Sequence, residues 1–375
     1  MTRDLLVRRA RLVAKGRVTD DLHDVVFDGG RVAAIERDAR DGDAARVLDA
    51  EEEILAPGLV DIHVHAWWGA THMGIDIDEH SIDRGVTTAV DAGSAGAATF
   101  RAFQRFVLAR TRTRAYALLN ISGMGQLDID IGECEDLRWC NVEKAVATAR
   151  AHPGAILGIK VRLSEPIAKE NDLAALALAV RAGTELGLPV MIHIGGSCHS
   201  LEEILAQLRP GDIVTHCYTG LQPGILDADG RVLPAVRAAR AQGVLFDVGH
   251  GRGSFTFEVA ERAIEQGFLP STISSDLHRN NVNGPVFDLV TTLTKFRSLG
   301  LPLAEVLAMG TSNAAAAVGL AGRAGTLAVG SAGDATLIRE ERGTFTLEDS
   351  IGVTRKVGSR ITAIRTIHDG VLLNA

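Results

Sequence analysis

The chain is poor in cysteine, in excess positive charge and in long apolar runs, and each shortage removes a class of protein. Four cysteines, Cys134, Cys140, Cys198 and Cys217, stand in 375 residues with no CxxC pair. They are too few and too scattered for a disulfide scaffold, so reduced and mostly buried thiols are expected. Lys and Arg total 39 against 47 Asp and Glu, a net charge of −8. That balance offers no footprint for a nucleic-acid backbone or an anionic membrane. No stretch of roughly 18 uncharged apolar residues occurs, so no membrane-spanning helix is expected. MTRDLLVRRARLVAKGRV, at residues 1–18, carries charges every few positions, unlike a secretory leader. A cytoplasmic location is the expectation. What remains is ordinary globular composition, 46% hydrophobic and 23% charged. The length suits an α/β barrel of roughly 250 residues with an appendage.

Two patterns divide the chain. Residues 1–55 read as short strands and turns: DLLVRRARLV, then HDVVFDGGRVAAIERD folded at Gly29-Gly30, then RVLDAEEEIL. From Pro57 the pattern becomes strand, turn and amphipathic helix, repeated. Eight apolar runs recur: 59–65, 87–93, 114–122, 154–163, 188–195, 212–220, 244–251 and 272–278. Runs that are apolar throughout suit strands covered on both faces, as in a parallel sheet. Eight such units predict a (β/α)8 TIM barrel over 56–319, with LAEVLAMGTSNAAAAVGL as its closing helical segment. Strand-like pieces return at 326–340 and 360–373, so residues 320–375 are expected to join 1–55 in a small composite β-domain. The fold class is α/β.

The chemistry-bearing residues fall at one end of these strands. His63 and His65 bracket one residue on the first barrel strand, and strand alternation points both the same way. Lys160 sits on the fourth strand, His193 late in the fifth, His216 late in the sixth and Asp276 late in the eighth. The gaps between them fit whole numbers of βα units. All therefore face the C-terminal mouth, where barrel active sites lie. A lone buried histidine on a strand is ordinarily a core residue; four at one mouth with a carboxylate form a ligand set for borderline cations such as Zn²⁺. Lys160 is the odd member. A buried lysine loses its proton readily, and the neutral amine can add CO₂ to become a carbamate, an anionic bridge able to hold two metals.

PGLVDIHVH (57–65), GIKVR (158–162), MIHIG (191–195), THCYTG (215–220) and SSDLH (274–278) resemble the motifs of the amidohydrolase superfamily, in its dihydroorotase-like branch with two metals and a carboxylated lysine. GTLAVGSAGDATLI (325–338) resembles the composite β-domain of that superfamily, so the likeness covers nearly the whole chain. It implies that His63, His65 and Asp276 hold one divalent ion, foremost zinc, that His193 and His216 hold the second, and that the Lys160 carbamate bridges them. The implied reaction is hydrolysis of an acyl bond, with Asp276 moving the proton and the ions acidifying a shared water.

Substrate residues follow from carrying the two-residue alternation one layer further: Trp67, Arg162, Gly195, Tyr218 and His278. One aromatic wall and two cations suggest a small anionic substrate with an apolar part, and Arg162 is expected to clamp its carboxylate. Tyr218 is a candidate for polarising the carbonyl. Dihydroorotases usually carry HxHxR; here Trp67 replaces that arginine. GIKVRLSEP, HCYTG, FDVGHGRGSF and SSDLHRNN resemble a deacetylase group within the branch, which implies cleavage of acetylated 2-hydroxy acids such as acetyl-(R)-mandelate. The alternatives are a cyclic-amide hydrolase, a purine aminohydrolase and a barrel retained as a scaffold; the filled ligand positions speak against the last. GHGRGSF (249–255) lacks the GxxxxGK[ST] spacing of a phosphate loop and reads as a turn that makes room at the mouth, with His250 placed to reach the pocket or to serve the fold. His72, His80 and His199 lie in loops near the mouth, while His23, His152 and His368 are expected at the surface. Self-association as a homo-oligomer stays open.

Overall fold

The computed structural model describes residues 3–14, 16–39 and 44–373. Its first layer is a mixed sheet made from both ends of the chain. The leading strands are β1 (Arg3–Ala14), β2 (Arg17–Val18), β3 (His23–Asp28), β4 (Arg31–Glu36), β5 (Ala44–Asp49) and β6 (Ile54–Pro57). After the barrel come β14 (Ala335–Glu348), β15 (Thr354–His368) and β16 (Val371–Leu373). The order is β16-β15-β14-β6-β1-β3-β4, with β2 and β5 also paired to β1. Leu5, Val7, Val25, Phe27, Leu55, Leu337 and Ile367 share one buried cluster, so each end covers the other's apolar face. The expected boundary at 55/56 falls inside β6, and the chain changes sheets at Gly58.

Seven parallel strands follow in spatial order: β7 (Leu59–Val64), β8 (Val86–Gly96), β9 (Arg114–Asn120), β10 (Ile156–Arg162), β11 (Val190–His193), β12 (Ile213–Thr215) and β13 (Leu245–Phe246). The eighth run forms no regular ladder. Residues 272–278 close the barrel through two isolated parallel bridges, Asp247 to Thr272 and Val64 to Leu277. Helices such as Asp172–Leu186 and Phe257–Glu265 pack outside. Val60, Ile62, Val90, Ala92, Leu118, Met191 and Ile213 fill the barrel interior, which the helix Ser312–Ala317 helps to seal.

Three expectations are corrected. Residues 326–334 are turns, not strand, because Gly330 takes φ +90° and Ser331 and Gly333 bond back to neighbouring turns. Conversely, β14 and β15 form a hairpin longer than expected, through residues whose half-exposed, charged character hid the strand pattern. His23, His152 and His368 are each only partly exposed, and His368 Nδ1 lies 3.0 Å from an oxygen of buried Asp334. Cys134, Cys140 and Cys217 are buried free thiols, whereas Cys198 is exposed. No helix among the described residues is long and apolar enough to cross a membrane.

Candidate metal centre

The barrel brings the six expected residues to one mouth. Val60 and Ile62 point inward and Val64 outward, and a register shift between Asp61 and Val64 changes the phase of β7. His63 and His65 consequently share the inner face, ring centroids 5.5 Å apart. His193 ends β11, its ring 4.3 Å from that of His216. His216 lies one residue beyond β12 and reaches inward through a left-handed backbone, φ +68°. Asp276 has φ +49°. Left-handed non-glycine residues cost about 1–3 kcal/mol each and collect at functional sites. His63, His216 and Asp276 present donor atoms within 4.8 Å of one another.

Hydrogen bonds fix which imidazole nitrogens are free. The Thr215 hydroxyl donates to Asp247 at 2.7 Å, so it accepts from Nδ1 of His63 at 3.0 Å. The Ser94 N–H donates to Asp91 at 2.7 Å, and its hydroxyl stands 3.2 Å from Nδ1 of His65. His216 donates through Nδ1 to the Gly249 carbonyl at 2.6 Å. His63 and His216 therefore turn an unprotonated Nε2 inward. Nε2 of His65 and of His63 lie 3.0 and 3.3 Å from Oδ1 of Asp276, which is buried and accepts no hydrogen bond. Lone pairs thus converge with no proton between them, an arrangement that a cation relieves.

The electrostatics agree. Burial, then the charge on Lys160, drives His63 and His65 well below their ordinary pKa. Burial, then His216, does the same to His193, and burial lowers His216 to about 4. All four imidazoles are neutral at pH 7 and so able to donate a lone pair. Lys160 is fully buried, its Nζ has no hydrogen-bond partner, and burial lowers it to about 8. The donor set therefore fits divalent cations.

The expected substrate residues fare unevenly. Arg162 is near the centre, its Cα paired in register with that of His193, yet its Nε and one terminal nitrogen bond buried Glu133. It is no free clamp. Tyr218 is not at the mouth: its hydroxyl donates to the Phe268 carbonyl at 2.8 Å and its ring stacks on Phe296. Trp67 is core, packed on Phe103, while Trp68 is 72% exposed. In both cases the strand ends before the extrapolated position, so alternation no longer applies. His278 does adjoin the cluster, 6.2 Å from the His65 ring. Gly195 has φ +98° and faces Thr219 and Leu221. Trp68, Thr71, Ile75, His80 and Arg279 line a cavity of about 550 Å³ formed by loops after the first and eighth strands. His72 is bonded to the Gln126 carbonyl and His199 to buried Asp172. Glu133, Asn120, Ser94, Asp91, Thr215 and Asp247 escaped the sequence reading because polar residues one shell out carry no motif of their own.

The amidohydrolase family pattern matches residues 54–362. The chain belongs to the amidohydrolase family. A deacetylase of Brucella anthropi is 34% identical over 336 residues, 89% of this chain and 83% of its own. The crystal structure of an adenine deaminase superposes with TM-score 0.93 at 32% identity, covering 100% of both chains. That of a dihydroorotase gives 0.91 at 31%, covering 99% and 97%. This amidohydrolase is therefore a metal-dependent hydrolase, with the barrel and composite β-sheet of those relatives.

Proposed function

We propose that the protein removes an acetyl group, as ester or amide, from a small carboxylate-bearing molecule such as an acetylated 2-hydroxy acid. The observation that carries this reading is the convergence of unshared electron pairs at His63, His65, His216 and Asp276 beside the unpartnered Lys160 amine. His63, His65 and Asp276 would hold one divalent ion, zinc foremost, and His193 and His216 a second. A carbamate would bridge them, formed as the Lys160 amine adds CO₂ and releases a proton. Bound there, the ions supply Lewis acidity toward water and the scissile carbonyl. Asp276 takes the proton of the attacking water and returns it to the leaving oxygen or nitrogen. His63 and His65 stay neutral throughout, His63 held as its Nδ1–H tautomer by Thr215. Arg162 enters as a partnered cation: Glu133 occupies its Nε and one terminal nitrogen, and the substrate carboxylate would take the other.

The deacetylase relative supports acetyl transfer to water. The dihydroorotase structure supports a cyclic-amide hydrolase as second reading, against which stands Trp67 in place of the arginine of HxHxR. Metal content measured beside hydrolysis of acetyl-(R)-mandelate, dihydroorotate and adenine separates them. Two zinc ions per chain with ester turnover is the expected result. Dihydroorotate turnover alone would move the assignment to cyclic amides, and a protein that takes up no metal would overturn the site.

A further inference from the structure

Lys160 has a counterpart: Lys295 is also fully buried, and nothing in the proposed reaction uses it. It lies on the helix Leu289–Ser298, with Nζ 2.6 Å from Nε2 of His250 and 2.9 Å from the Pro285 carbonyl. His250 donates through Nδ1 to the Gly251 carbonyl at 2.8 Å, leaving Nε2 to accept from the lysine. The imidazole stacks on Phe255, centroids 4.6 Å apart. No carboxylate forms an ion pair with Lys295 among the described residues. A buried amine held by an imidazole and a carbonyl rather than by a carboxylate is costly where a methionine would fill the same space, so its presence calls for a role beyond packing.

The neighbours of His250 supply that role. Gly249 accepts from Nδ1 of His216, and a Cβ placed on it would stand 2.1 Å from the Thr215 hydroxyl oxygen. A Cβ on Gly251 would stand 2.4 Å from Oδ2 of Asp276. The segment 249–251 is therefore pressed against two of the proposed ligands, with His250 as its only side chain. Pro285, the other acceptor of Lys295, belongs to the loop that follows Asp276, where Asn281 donates to the Asp276 carbonyl at 2.7 Å. A third support comes from the β14–β15 turn: Ser350 Oγ lies 3.4 and 3.2 Å from the carbonyls of His250 and Gly251.

We propose that Lys295 is a positioning residue for the metal centre. It fixes His250 and the Pro285 loop, with Ser350 behind them, so that Gly249 and Gly251 hold His216 and Asp276 where they ligate. The inference rests on the metallohydrolase reading above. Zinc affinity measured by chelator competition on the full chain tests it, alongside melting temperature and the visible spectrum of the Co²⁺ form. Lys295→Met should weaken zinc binding roughly 10–100-fold, the range typical of residues that orient ligands, and change the Co²⁺ spectrum. Ser350→Ala should shift the affinity the same way by less, and it decides the matter alone if Lys295→Met does not fold. Zinc affinity within about twofold of wild type in the folded variants would reduce Lys295 to a stability role, whatever the melting temperature. A wild-type chain that binds no zinc would instead overturn the metallohydrolase reading itself.

Discussion

At the scale of single residues, the site is organised by protons. Thr215 passes its donor to buried Asp247 and accepts one from an imidazole, so the chain His63–Thr215–Asp247 sets the tautomer of His63, while the Gly249 carbonyl sets that of His216. Thr215→Val keeps the shape and removes both bonds; zinc affinity should fall roughly 10–100-fold, measured by chelator competition. Lys160→Ala should abolish hydrolysis, with partial recovery on adding short carboxylic acids that replace the carbamate; full activity without them would remove the bridge. Proton uptake also shapes stability in the metal-free protein. His63, His65, His193 and His250 lie well below 6.5 and His216 and His278 at about 4, each chiefly through burial. As pH falls below 6.5 the unfolded chain binds protons on these six groups while the folded chain does not. Burial raises Asp61 to about 7, Asp91 to about 6 and Asp247 in the same direction, so those three folded carboxylates bind protons first and oppose the trend. Six outweigh three, so stability should drop as pH falls from 6.5 toward 4. Chelator-treated protein should melt lower at pH 5 than at pH 7; an equal or higher midpoint would reverse the sign.

At the scale of elements, the ends of strands matter more than their middles. Alternation placed His63, His65, Lys160 and Arg162 correctly because β7 and β10 extend to or near those residues. It misplaced Tyr218 and Trp67, which lie three residues past the last strand position of β12 and β7. His216 and Asp276 reach the site through left-handed backbone, which no alternation rule contains. The glycine at 249 has a positive φ and no room for a side chain, its Cβ meeting both Thr215 and His216. Gly249→Ala should cost about 2–4 kcal/mol from crowding and backbone strain and should lose zinc. Denaturant midpoint and metal content read the two effects separately.

At the scale of the whole molecule, the two sheets are joined by charge as well as by chain. Arg114, at the start of β9, forms ion pairs with Asp334 and Asp369 of the end sheet. Asp334 is nearly fully buried, so removing Arg114 leaves its charge to His368 and the Asp369 N–H alone. Arg114→Met should destabilise by about 1–3 kcal/mol, a value reduced from that of a fully buried pair because Arg114 is part-exposed. The expected readout is a melting temperature lower by several degrees with kcat unchanged, since the pair lies at the opposite end of the barrel strands from the metal centre. Loss of kcat at constant stability would contradict that placement. The long β14–β15 hairpin has the other reach: its turn touches 250–251, so the end domain also braces the mouth.

The sequence alone determined the parallel βα repeat, the union of the chain ends and the gathering of six chemistry-bearing residues at one mouth, which are the proposed metal ligands. Each rests on local periodicity or on residue types that apolar strands rarely tolerate, such as Lys160 within GAILGIKV. Tertiary structure decided what those residues face. Glu133 occupies Nε and one terminal nitrogen of Arg162, a contact 29 residues away in sequence that no local pattern encodes. The direction of Tyr218, the closure of the barrel by an irregular eighth segment and the Lys295–His250 contact depend likewise on how distant loops pack once the barrel has closed. Local sequence sets the period of a strand; only the closed fold sets where a side chain beyond its end can go.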